Sequence, residues 1–185
     1  MLHKPDWPMK AIRLISKILR VAAAVLAGVY GLSFAYSFLV LLMNAMFPAA
    51  SWLPIEVLDD RFVILFPFTK IGFLTERLHW GYQLFVLAIL LAYAVFFWLL
   101  GRIFSAFSDE RIFTQTAVQA LGYFSRASLS VPIAIFIFYA ILTMDAGMGE
   151  ALLAMVHWLL GIFTLFLAAI FREGYQLQQE QDLTI

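Results

Sequence analysis

The sequence predicts an all-α, polytopic membrane protein: four transmembrane helices in a bundle, with an outer loop lying in the interface. Three observations lead there. Of 185 residues, 64% are hydrophobic and only 13% charged, half the charged fraction of an ordinary soluble domain, which is about 25%. Several apolar runs reach or approach the ~20 residues that cross bilayer hydrocarbon. The remaining charges are gathered into islands between those runs. One domain over 1–185 is expected, with helices at approximately 18–47, 81–101, 115–143 and 151–173 and a polar tail at 172–185.

The first twenty residues carry Lys4, Lys10, Arg13, Lys17 and Arg20 against Asp6, and lead into the apolar run Val21 to Phe47. A cleavable signal has an apolar region of roughly 7–15 residues. This run is nearly twice that, so an uncleaved first helix is favoured over cleavage after Ala50. Within it Ala27, Gly31 and Ala35 recur every four residues, a shallow strip on which another helix can pack closely.

Pro48 and Pro54 close that helix. Between Ser51 and Trp80 the run Phe62 to Phe68 is too short to span and is broken by Pro67, so it reads as an interfacial segment or one packed against the bundle mouth. A short β-hairpin is the alternative, since Phe, Val and Ile favour strands, and seven residues do not decide it. The second helix has Trp80, Tyr82 and Trp98 near its ends, where amphipathic rings favour the headgroup level.

The next polar island runs from Ser105 to Gln119. Thr114 is positioned to cap the third helix by accepting from an orphan backbone amide, with Thr116 and Gln119 as an alternative capping box one turn later. Arg126 sits where it can snorkel toward water. Pro132 removes a backbone donor and predicts a kink near Ser128, with Ser125, Ser128 and Ser130 available to satisfy freed carbonyls. After the turn Asp145 to Glu150, the fourth helix places His157, Gly161, Thr164 and Ala168 three or four apart, the stripe expected to meet neighbouring helices.

Orientation follows from the basic residues. The N-terminus, the second connection and the tail hold five, three and one, against Arg61, Lys70 and Arg77 in the other two loops. Nine against three places both termini and the Ser105 to Gln119 island in the cytoplasm. Acids divide six and six and do not discriminate.

Several function classes lose support. There is no cysteine, which excludes disulfides, thiol catalysis and thiolate metal sites. The formal net charge is zero, so no global basic field points to direct nucleic-acid binding. No Gly-rich phosphate loop, nucleophile elbow or paired intramembrane carboxylates are present, so neither an enzyme nor a cofactor is expected. His157 and His79, with Glu76, Asp145 or Glu150, were they level, would make an outward metal site. No pair has the i, i+4 spacing of a preformed helical site, so no metal ligands are assigned and a hydrogen bond to a neighbouring helix is the plainer role.

Two motifs, in order, carry a family resemblance: the turn Glu110-Arg111-Ile112-Phe113-Thr114, and the terminus Phe171-Arg172-Glu173-Gly174 continuing through Glu180-Gln181-Asp182-Leu183-Thr184-Ile185. The chain resembles the DUF2975 family of small bacterial four-helix membrane proteins, whose turn pattern is Gly-Lys-Pro-Phe-Thr. Glu110 and Ile112 depart from its glycine and proline, and Gln181 from an asparagine. The resemblance covers about the last 90 residues well, with the first helix and its outer loop matching only in kind. It implies a bacterial inner-membrane protein of no established activity, encoded beside a small helix-turn-helix transcriptional regulator. The candidate partner-binding residues are therefore Phe113, Thr114, Arg172, Glu173, Gly174, Glu180, Asp182, Leu183, Thr184 and Ile185. Alternatives from other classes are a carrier or receptor for an apolar small molecule, whose cavity would reach His157 and Phe62 to Phe68, and a structural subunit of a membrane complex. The tail itself reads either as a docking peptide, extended at Leu183 to Ile185, or as a solvated helical extension.

Overall fold

Apolar side chains with no protein neighbour dominate the surface of the four long helices. Leu32, Phe163 and Phe166 are each at least 60% exposed, as a soluble protein rarely tolerates over so large an area and as a lipid-facing surface requires. The computed structural model describes residues 7–48, 50–109, 111–143 and 147–183. The helices are α1 (Trp7–Met46), α2 (Trp80–Phe107), α3 (Gln115–Thr143) and α4 (Met148–Leu183). All four are long and apolar enough to cross a membrane. The protein is an integral, multi-pass membrane protein.

Three helices are longer than their apolar runs. α1 begins at Trp7 instead of near residue 18, α2 continues past Gly101 to Phe107, and α4 continues past residue 173 to Leu183. Once a span has nucleated a helix, each further residue adds a hydrogen bond at little cost, so polar flanks without a stop signal continue it. α2 starts where His79, in an extended conformation, accepts a bond from the Gly81 amide at 3.2 Å through Nδ1. It stops at Ser108, whose hydroxyl donates to the Ser105 carbonyl at 2.6 Å. α3 starts as expected from Thr114, whose Oγ1 accepts from the Ala117 amide at 3.1 Å, and is continuous through Pro132.

Consecutive helices pack against each other. Gly101 lies beside Arg20 and Ala23, Gly81 beside Leu142, and Gly174 beside Phe113. Those three contacts make every neighbouring pair antiparallel, so the start of α1, the α2–α3 turn and the end of α4 share one end of the bundle. The α3–α4 contact is closest at Gly161, where a Cβ would stand 2.8 Å from Leu129 Cγ. The buried Ser125 hydroxyl donates to the Gly161 carbonyl there, at 2.9 Å. Gly161 and Thr164 are buried, as the small-residue stripe on this helix predicts. The strip on α1 behaves differently. Ala27 is half-buried and lines a shallow cleft with Phe97 and Gly101 of α2, but Ala35 is exposed and a Cβ on Gly31 would meet nothing within 4 Å. Among the described side chains of α1, Ser16, Ala23, Ser37, Val40 and Leu41 are buried, joined by Tyr30 stacked on Tyr93 and Phe97 of α2.

The connection between α1 and α2 is a folded unit. Strands β1 (Ile55–Leu58), β2 (Arg61–Leu65) and β3 (Gly72–Arg77) form an antiparallel meander in that order. Ile55 pairs with Ile64 and Phe62 with Glu76, and the register is irregular between Ile64 and Leu65. The β1–β2 turn uses Asp59 at φ 51°, a left-handed conformation that aspartate tolerates. Phe62 and Ile64, two apart on one face, are wholly buried with Val40 and Leu41 of α1 and Leu87 of α2. The Tyr36 hydroxyl donates to the Leu65 carbonyl at 2.6 Å. Phe62 to Leu65 thus pack against the bundle mouth as a strand, whereas Phe66 to Phe68 leave it and are exposed, Phe68 fully so at φ 61°.

Candidate functional site

Two regions hold what chemistry the molecule offers. The first is the joint between the α2–α3 turn and the extension of α4. Phe171 and Gly174 continue the packing stripe of α4, each three residues beyond the last, and both meet Phe113. A Cβ on Gly174 would lie 2.6 Å from Phe113 Cδ1, so only glycine lets this ring lie flat on the helix. Phe113 also contacts Phe171, with ring centroids 5.1 Å apart, and Phe171 contacts Phe107 at 5.3 Å. Two turns further along α4, Asp182 accepts a bond from the Arg111 guanidinium at 2.9 Å. Both partners of that ion pair are more than half exposed, so it fixes register and contributes ~1 kcal/mol or less.

The candidate residues divide accordingly. Phe113, Gly174 and Asp182 are brought into this joint, and Thr114 caps the helix beside it. Arg172, Glu173 and Glu180 are exposed on the remaining face of α4, and Leu183 is 86% exposed. Thr184, Ile185 and Glu110 lie outside the described residues. Leu183 ends a helix, so at this residue the extended docking-peptide reading is replaced by the helical extension. Phe107, Arg111 and Phe171 belong to the joint although they stand outside the candidate set. For Arg111 and Phe171 the signal was in hand, because both lie inside the quoted motifs.

The second region is a half-open cavity of about 360 Å³ between α2, α3 and α4, lined almost wholly by apolar side chains. Its polar lining residues are Ser128, Glu150, His157 and Tyr93. It reaches His157, but none of Phe62 to Phe68 lines it. The His157 ring lies edge-on to Tyr93 and Phe96 and its Nδ1 donates to the Leu153 carbonyl at 2.9 Å. His79 instead caps the start of α2, some sixteen residues before Phe96, a rise of roughly 25 Å. The two histidines are therefore not level and do not converge on one ion. Among the described residues, no three His, Asp or Glu side chains are grouped to hold a metal.

A family model described as "Protein of unknown function (DUF2975)" matches residues 43–185. No curated protein and no solved structure matches the chain.

Proposed function

We propose a function from one premise: the chain belongs to the DUF2975 family. The protein is a non-enzymatic component of the bacterial inner membrane, with both termini in the cytoplasm. The face built from Ser105 to Gln119 and Arg172 to Ile185 binds or modulates a small helix-turn-helix transcriptional regulator. One observation carries this reading. The two segments bearing the family motifs are packed into a single surface, Phe113 on Gly174 and Arg111 on Asp182, at the end of the bundle nearer to eight of the eleven described basic residues. A turn and a tail with independent roles have no need of a shared aromatic contact and a cross-element ion pair.

The test is co-purification of the full-length protein with the regulator encoded beside it, alongside transcription from that regulator's target promoter. Intact protein is expected to retain the regulator, and removal of 172–185 to release it and change transcription. Failure to co-purify, with transcription indifferent to the deletion, would overturn the proposal.

A further inference from the structure

The cavity between α2, α3 and α4 has a shape and a polar inventory that the regulator proposal does not use. Along α2 it extends from Phe85 to Leu99, a rise of roughly 20 Å. With about 360 Å³ of space spread over that length between apolar walls, the groove is long and narrow, a form that suits a single hydrocarbon chain better than a compact ring system.

The deep end of the channel is not apolar throughout. Ser128 is 3% exposed and lines the cavity, and its hydroxyl has no hydrogen-bond partner among the described residues. Pro132, one turn later, has no N–H to offer the Ser128 carbonyl. On the facing helix the Nδ1 of His157 is spent on Leu153, so in the neutral tautomer Nε2 is an acceptor. His157 contacts Phe96, which contacts Phe124 one turn from Ser128, so histidine and serine lie at a similar depth. Leaving a buried hydroxyl unpaired costs roughly 1–3 kcal/mol. The tail of a bilayer phospholipid has no polar atom at that depth to relieve it. A carboxylate would meet no lysine or arginine in the lining, and Glu150 at the outer end would repel it.

We propose that this channel binds a neutral single-chain lipid ending in a hydroxyl, with the hydroxyl held at Ser128 and His157 and the chain running toward the outer mouth. The hydroxyl donates to His157 or to the Ser128 carbonyl and accepts from Ser128 Oγ. Binding requires no regulator.

The experiment uses the full chain in phospholipid nanodiscs and two photoactivatable probes of equal length, a long-chain alcohol and the corresponding alkane. The alcohol is expected to label α2 and α3 segments saturably and to be displaced by unlabelled long-chain alcohol. Ser128→Ala is expected to weaken it roughly three- to tenfold, as loss of one neutral hydrogen bond. Ala92→Trp, which fills the channel, is expected to abolish it, with size-exclusion behaviour confirming that both variants remain folded. Labelling spread without saturation over all lipid-facing segments, labelling that survives Ala92→Trp, or equal labelling by the alkane with no response to Ser128→Ala would each overturn the proposal.

Discussion

At the scale of single residues, Gly174 and Gly31 are informative opposites. Both are glycines in long apolar helices, yet a Cβ at Gly174 collides with the Phe113 ring and one at Gly31 meets open space. Gly174→Val is expected to destabilise the protein by about 1–3 kcal/mol, the range for overpacking a closed contact. Gly31→Ala is expected to leave stability unchanged or slightly raised, because alanine favours a helix by up to ~1 kcal/mol. Thermal unfolding of the detergent-solubilised variants, followed by helical circular dichroism, separates the two. Phe113→Ala in the Gly174→Val background should recover part of the loss if the ring is what the side chain strikes. Arg111→Ala, by contrast, should cost ~1 kcal/mol or less, since its ion pair with Asp182 is exposed to water and salt.

At the scale of elements, the sheet is where the sequence is least transparent and the prediction sharpest. Phe62 is fully buried between the sheet and helices α1 and α2, whereas Phe68, six residues on, touches little. Phe62→Ala should therefore cost about 3–5 kcal/mol, as for a large aromatic removed from a core, and Phe68→Ala should leave the unfolding temperature in place. Equal effects would mean that the sheet is not anchored as described. The four spans were legible because each apolar run is long enough for only one interpretation in a bilayer. The sheet was open to two readings because Phe62 and Ile64 alternate over too few residues to separate a strand from an interfacial segment. Helix ends were misplaced at Gly101 and Glu173, since composition marks where lipid ends and not where backbone hydrogen bonding ends. The contact of Phe113 with Gly174 had no local signature. It exists only because α3 and α4 are antiparallel, although both residues were visible as parts of motifs.

At the scale of the whole molecule, the antiparallel succession of helices places the α2–α3 turn and the α4 extension at one end and the β-sheet at the other. The cytoplasmic placement of the first end is part of the proposal, argued from the excess of basic residues there, and regulator docking depends on it. Because the chain contains no cysteine, single cysteines can be introduced without background at Thr69, Asp109 and Gln176, all exposed. Labelling spheroplasts with a membrane-impermeant maleimide tests sidedness directly. Thr69→Cys is expected to react in sealed spheroplasts, and Asp109→Cys and Gln176→Cys only after the membrane is permeabilised. Reaction of Gln176→Cys in sealed spheroplasts, or of Asp109→Cys on the same side as Thr69→Cys, would contradict the account.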